Sequence, residues 1–322
     1  MSELMTLEEL AGSSNRSLLL VHGRDFKPGR DAYLDISMAA LRAGIERDYP
    51  DKVEGFDVLQ KHFAWYGDLS AEILEQRGNS YDRDLDIGDR RNALNALRDI
   101  PARKRFGIRQ YDRLPGKSAI PEFIADMTAP VLGSIGLTMP ALRSIAADFA
   151  AYFDNKLNYG IQVRARLRQE LGELMDRGDR VLLISHGTGS VIAYDVLWEM
   201  SHDEALKERY GKSKVEMWLT LGSPLGDRNI QKRLSGAKEH SANKFPANVI
   251  SWHNVSAEDD YTCHDNTLAD DFKKMLRQRQ VSTVHDFCIF NLAVRYGKSN
   301  PHSSVGYYIH PRVSKIIADW LG

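Results

Sequence analysis

The sequence has few of the features that mark secreted, membrane or nucleic-acid-binding proteins. Its 322 residues include only two cysteines, Cys263 and Cys288, and these form no CxxC pair, so no disulfide framework is expected. No apolar run reaches the roughly 18 residues that a membrane span needs. Residues 1–16 lack the basic and then apolar pattern of a secretory signal. We therefore expect a cytoplasmic protein.

The chain also lacks an excess of either charge. Its 43 basic and 44 acidic side chains nearly cancel, so no long-range field draws it toward phosphate backbones or anionic lipid. We do not expect a nucleic acid as partner. The length suits one large or two ordinary domains, and we predict an N-terminal segment, 1–16, followed by one domain over 17–322.

The most informative stretch of the chain runs from Val181 to Trp198. Four apolar residues, Val181 to Ile184, predict a buried strand, and two glycines then predict a sharp turn. The apolar spacing after Ser190 is typical of a helix. The sequence therefore predicts a strand, a tight bend and a helix in immediate succession.

This segment resembles the nucleophile elbow of the α/β-hydrolase family, where the usual pattern is small-His-Ser-x-Gly. Ser185 and Gly189 match the small flanking residues, which let strand and helix approach closely. Gly187 stands at the position of the nucleophilic serine. The resemblance therefore implies the family's elbow without the family's nucleophile.

Two nearby hydroxyls are poor replacements for the missing serine. If Thr188 is taken as the nucleophile, the bulky His186 falls at a small-residue position. If Ser190 is taken instead, Thr188 and Ile192 fall at those positions. Neither shifted frame fits the pattern.

Alternating apolar strand segments and amphipathic helices predict an α/β fold with a mostly parallel central sheet and helices on both faces. The predicted strands are 17–21, 56–66, 181–184, 215–221 and 248–255. The predicted helices are 30–48, 163–174 and 311–321.

Residues 69–155 interrupt this alternation and predict a helical insertion. Its apolar part, 119–153, contains three prolines. It could form a cap over a site, contact a membrane surface, or bury itself on the core as an extra helical layer.

The resemblance also implies an oxyanion hole beside the elbow. The strand at 17–21 ends in His22-Gly23, the pair that neighbours the oxyanion hole in the family. One backbone N–H would come from Arg24 or Asp25, and the other from Thr188. We expect His22 and His186 to lie where a ligand binds. Ser223 of the Gly-Ser-Pro-Leu turn is a further candidate for ligand contact, but the role of turn former is favoured for it.

The remaining triad members implied by the resemblance come from the last third of the chain. The family's acid follows a late strand, which selects Asp260, with Asp259 second and Asp227 third. The family's histidine lies in the loop before the last helix, which selects His302. Nucleophile position, acid and base then occur in the family's order, with glycine at 187.

The resemblance implies an ester or lipid-like small-molecule substrate and neither cofactor nor metal. Without a hydroxyl at Gly187 no acyl-enzyme can form there. Several accounts stay open: a hydrolase whose serine has been replaced, a binding or regulatory module without turnover, hydrolysis by a water activated by His302 and Asp260, or an interaction protein that uses 119–153 as its contact surface.

Overall fold

The computed structural model describes residues 15–101, 103–116, 143, 146–154, 158–263 and 267–322. The centre is a sheet of six parallel strands in the order β2-β1-β3-β4-β5-β6. The strands are β1 (Arg16–Val21), β2 (Gln60–Ala64), β3 (Arg180–His186), β4 (Val215–Leu221), β5 (Val249–Ala257) and β6 (Thr283–Ile289). The predicted fold class is confirmed.

Helices cover both faces of the sheet, as the alternation of side chains along β1 illustrates. Leu18 and Leu20 pack into one apolar cluster, whereas Leu19 and Val21 point to the opposite face and join another. The helices of the described chain are Arg30–Asp48, Val53–Asp57, Gly67–Glu75, Arg83–Arg98, Ile108–Tyr111, Ala147–Tyr152, Tyr159–Asp176, Gly189–His202, Glu204–Tyr210, Arg228–Gln231, Leu268–Asp271, Lys273–Arg277, Ser304–Tyr308 and Pro311–Leu321.

Local sequence signals explain where two of these helices begin. The side chain of Asp82 accepts a hydrogen bond from the Leu85 N–H, which satisfies one of the free donors at the start of the Arg83–Arg98 helix. The last helix, Pro311–Leu321, begins with proline at its first position, and the His310 side chain accepts from the Arg312 N–H. We call it the C-terminal helix; its bounds agree with those predicted.

The strand order places one crevice at the carboxyl end of the sheet. The chain leaves β1 for β2 on one side and returns past β1 to β3 on the other, so the direction of winding reverses between β1 and β3. Ligands of open parallel sheets bind outside the strand ends at such a reversal. His22-Gly23 after β1 and Gly187 after β3 lie at this point.

Two strands differ from the prediction. The predicted strand over 56–66 is shorter, because Phe56 belongs to the Val53–Asp57 helix and only Gln60–Ala64 pairs with β1. The turn that begins at Pro50 continues into this helix, so the apolar Phe56 is buried from a helix rather than from a strand. The edge strand β6 was not predicted separately.

Most of the predicted apolar surface at 119–153 lies outside the described residues, as do residues 1–14 of the N-terminal segment. The described helix Ala147–Tyr152 is buried in the core, so this part of the insertion packs inward. No helix in the described ranges combines the length and the apolar character that a membrane crossing requires.

Candidate functional site

The bend between β3 and the next helix is a tight turn with a left-handed residue at its centre. Gly187 has a φ of +54°, in the left-handed region that glycine adopts at little cost, and its N–H donates to the Leu221 carbonyl at 2.8 Å. A Cβ atom built on Gly187 would lie 3.0 Å from His302 Nε2. The side-chain-less position therefore faces the predicted base.

The second glycine of the bend is required by the close approach of the Gly189–His202 helix, which we call the elbow helix. A Cβ on Gly189 would lie 2.4 Å from the carbonyl oxygen of His22. No side chain fits there without moving backbone. This is the physical reason for a small residue two positions after the bend.

Asp260 and His302 form a hydrogen-bonded pair. The Asp260 carboxylate, which is fully buried, accepts from His302 Nδ1 at 2.9 Å through Oδ2. It also accepts from the Tyr307 hydroxyl at 2.7 Å and from the Thr262 N–H at 3.0 Å. These bonds fix the carboxylate in one orientation beneath the imidazole.

The ionisation of Asp260 fixes the tautomer of His302. Burial by itself raises the pKa of Asp260, but the nearby His302 and the hydrogen bonds from His302, Tyr307 and Thr262 outweigh it and hold that pKa below its ordinary value. An ionised carboxylate only accepts hydrogen bonds, so the His302 Nδ1 carries a proton. In the neutral ring Nε2 then presents a lone pair toward residue 187.

The loop that carries His302 is held by two side chains. Asn291 Nδ2 donates to the carbonyl oxygens of Pro301 and Ser303, each at 2.9 Å. His186 Nε2 donates to the carbonyl oxygen of His302 at 3.0 Å, and the two rings lie 4.6 Å apart. His186, predicted at the ligand, thus supports the base instead. Asn291 was not predicted, because no motif marks it.

Two backbone N–H groups near Gly187 have no acceptor among the described residues. Neither the Arg24 N–H nor the Thr188 N–H donates a hydrogen bond to any other residue that the structure describes. The Asp25 N–H is used, because it donates to the buried Asp148 carboxylate at 2.7 Å. Of the two predicted donors after β1, Arg24 is therefore the one available.

A narrow cleft opens beside these donors. It offers a cavity of about 10 Å³, room for about one water molecule. An acyl chain enters only if a wall side chain moves. Half of its wall residues are aromatic; the walls comprise Arg24, Tyr66, Asp148, Phe149, Tyr152, Tyr159, Thr188 and Ile192.

Two further residues predicted to contact the ligand, His22 and Ser223, bind other groups of the protein instead. His22 is fully buried; its Nδ1 bonds the Gly23 carbonyl oxygen at 2.7 Å, and its Nε2 accepts from the Tyr66 N–H at 3.1 Å. Burial and then the charge of Lys27 lower the pKa of His22, so the ring is neutral. Ser223 accepts from the Leu225 N–H at 3.3 Å and forms the turn, which is the role favoured for it from the sequence.

The other two candidate acids lie away from His302. Asp259 accepts from the Tyr111 hydroxyl at 2.8 Å. Asp227 accepts from the N–H groups of Asn229 and Ile230, so it caps a short helix. Only Asp260 among the three contacts the imidazole.

The neighbouring hydroxyls do not face His302 either. Ser190 is buried and accepts from the Ser185 hydroxyl at 3.1 Å. Thr188 lies next to Tyr66 in the wall of the cleft. The alternatives weighed from the sequence therefore remain poor nucleophiles.

Across the described ranges, no group of three or more His, Cys, Asp or Glu side chains is arranged to hold a metal ion. Comparisons of the chain with known protein families, curated proteins and solved structures found no match. Asp260 and His302 can together accept a proton beside Gly187, and the N–H groups of Arg24 and Thr188 are the candidate donors to a ligand oxygen.

Proposed function

We propose that this chain is an α/β-hydrolase-type protein whose site is built for acyl esters but lacks the nucleophile. It would bind a small ester-like ligand without forming an acyl-enzyme. One observation carries the proposal: Nε2 of the Asp260-bound His302 lies 3.0 Å from the position of a Cβ at residue 187. A serine hydroxyl at that place would be within reach of its base.

Each retained group has a defined part in ester chemistry. His302 Nε2 would accept the proton of an attacking hydroxyl, and Asp260 would hold the ring in the required tautomer and stabilise its positive charge. The free N–H groups of Arg24 and Thr188 would bind the oxyanion of the tetrahedral intermediate. With Gly187 no hydroxyl attacks, and loss of the nucleophile from a comparable triad costs about 10⁶ in rate.

The experiment restores the missing hydroxyl. Gly187→Ser should become labelled by a fluorophosphonate probe and should hydrolyse short-chain aryl esters. Short acyl groups are chosen because the cleft has room for about one water molecule. Gly187→Ala is the matched control, since it adds the same Cβ and the same backbone strain without the hydroxyl, and it should stay unlabelled.

A second control tests the base. Gly187→Ser combined with His302→Ala should lose labelling and most of the ester hydrolysis, because the hydroxyl then has no proton acceptor. A folded Gly187→Ser variant that is neither labelled nor active contradicts the proposal. Folding is checked by circular dichroism and by urea denaturation.

One observation favours a second candidate, hydrolysis by an activated water. The His302 side chain is 35% exposed, and the absence of a side chain at Gly187 leaves space next to Nε2. A water bound there could lose its proton to Nε2 as it attacks the ligand carbonyl. The unaltered protein would then hydrolyse activated esters slowly, and His302→Ala would abolish this activity. Equal rates of ester hydrolysis in the unaltered protein and in His302→Ala would exclude the water mechanism.

A further inference from the structure

The cleft beside Thr188 lies where one substituent of a bound ester carbonyl must go. Its walls include Arg24 and Thr188, whose N–H groups are the proposed donors to the carbonyl oxygen. An oxygen held by these donors brings the carbonyl carbon next to the cleft. Either the acyl group or the alcohol of the ester therefore occupies it.

The position of His302 decides between the two. A leaving alcohol takes its proton from the base of the triad, so it must lie toward His302 Nε2. His302 is not one of the described residues that line the cleft, and its side chain is 35% exposed. The alcohol therefore extends toward solvent, where a bulky group is tolerated, and the acyl group enters the cleft.

The polar groups in the wall of the cleft are already bonded within the protein. The Asp148 carboxylate accepts from the N–H groups of Asp25 and Phe149, at 2.7 and 2.9 Å. Arg24 is the one wall residue that is not buried, so its charge is solvated. Each wall tyrosine has its hydroxyl in a hydrogen bond, and the pairs are Tyr66 with the His22 carbonyl oxygen, Tyr152 with Asp195 and Tyr159 with Ser70. A polar acyl group would break these bonds or stay unpaired, so the cleft selects an apolar one.

The size of the cleft limits the acyl group to acetyl. Its cavity of about 10 Å³ has room for about one water molecule, and the methyl of an acetyl group is close to a water molecule in size. A longer acyl chain enters only if a wall side chain moves, and packed interiors yield little. One methylene too many in a fitted pocket costs about 10–200-fold in discrimination.

Ile192 is the wall residue that sets this limit. It lies one helical turn after Thr188 on the elbow helix, so both residues are on the same helix face. The tyrosines of the wall are held by their hydrogen bonds, and Phe149 packs against the Phe153 ring at 5.1 Å. The Ile192 side chain is aliphatic and has no polar atom. Shortening it therefore enlarges the cleft without breaking a hydrogen bond.

We propose that the cleft is an acetyl pocket, that the ligand is the acetyl ester of a bulky alcohol, and that Ile192 excludes longer acyl groups. This inference rests on the ester-binding function proposed above, and it adds which part of the ester enters the protein and which side chain determines its length.

The first test uses the unaltered protein, because with Gly187 it binds an ester without forming an acyl-enzyme. Saturation-transfer NMR titrations compare phenyl acetate, phenyl propionate and phenyl butyrate, and they show whether each ester stays intact. The affinity should fall by about tenfold or more from acetate to butyrate. Equal affinities, a preference for butyrate, or no binding of phenyl acetate at millimolar concentration would overturn the proposal.

The second test shortens the wall. Ile192→Ala removes three carbon atoms, more than the two that butyrate adds to acetate, so it should raise the affinity for phenyl butyrate about tenfold and leave that for phenyl acetate nearly unchanged. Leu197→Ala is the matched control, because it removes as many carbon atoms from a buried residue of the elbow helix that does not line the cleft. A ratio of the two affinities that is the same in both variants contradicts the proposal. If Ile192→Ala does not fold, Ile192→Val removes one carbon atom and should admit phenyl propionate instead.

Failure of the acetyl pocket differs from failure of the ester function. A Gly187→Ser variant that hydrolyses phenyl acetate and phenyl butyrate with equal kcat/KM supports the ester chemistry and rejects the acetyl pocket. An inert and unlabelled Gly187→Ser variant, together with an unaltered protein that prefers phenyl acetate, rejects the restored nucleophile and retains the pocket.

Discussion

The sharpest prediction concerns the stability of Gly187→Ala. The new Cβ would sit on a backbone with φ of +54°, which costs about 1–2 kcal/mol for a residue other than glycine. It would also lie 3.0 Å from His302 Nε2, closer than ordinary contact, so the imidazole must shift by a few tenths of an ångström. Such crowding adds about 1 kcal/mol, whereas the stiffer unfolded chain returns about 0.5 kcal/mol.

We therefore expect Gly187→Ala to lower the free energy of unfolding by about 2 kcal/mol. In the His302→Ala background the contact with the ring is gone. The backbone strain, reduced by the effect on the unfolded chain, should then leave a net cost of about 1 kcal/mol. The coupling between residues 187 and 302 should thus be about 1 kcal/mol in a double-mutant cycle measured by urea denaturation.

Gly178 supplies the control. Its φ is +72°, but a Cβ there meets nothing within 4 Å, so Gly178→Ala should show the strain without the contact. Its cost should be the same with and without His302. A Gly187→Ala variant as stable as the unaltered protein, or a coupling below about 0.3 kcal/mol, would refute the geometry on which the site depends.

Three further predictions concern buried carboxylates. The pKa of Asp260 is lowered, so its ionised form stabilises the fold above about pH 4. This contribution is lost as the pH falls through the lowered pKa. The difference in stability between the unaltered protein and Asp260→Asn should therefore shrink in acid. Burial raises the pKa of Asp195 to about 6, a shift of about two units or about 3 kcal/mol. Stability should therefore fall as the pH rises from about 4 to 6, and Asp195→Asn should flatten that slope. In Gly187→Ser, Asp148→Ala should lower kcat/KM by about tenfold or more, because the Asp25 N–H loses its acceptor and the loop after β1, which carries the proposed donor Arg24, shifts.

Local patterns were enough to predict most of the fold. The apolar run at Val181–Ile184 and the two glycines after it are short-range signals, and the strand and bend lie where they indicate. The helix at 30–48 and the C-terminal helix also agree with their predicted bounds. The apolar run of a buried strand and the apolar spacing along a helix involve residues that are close in the sequence, so a single sequence is enough to predict both elements. Phe56 was assigned wrongly because a short apolar stretch suits either element.

The partners of each polar side chain were decided by tertiary structure. Asp259 and Asp260 are adjacent in sequence, yet one bonds Tyr111 and the other bonds His302. In the loop after β1, a distant residue likewise decides which donor is used, because the Asp25 N–H donates to the Asp148 carboxylate. These bonds join residues 42 to 148 positions apart. Local periodicity carries no information on such distances, because they depend on how the loops pack above the sheet.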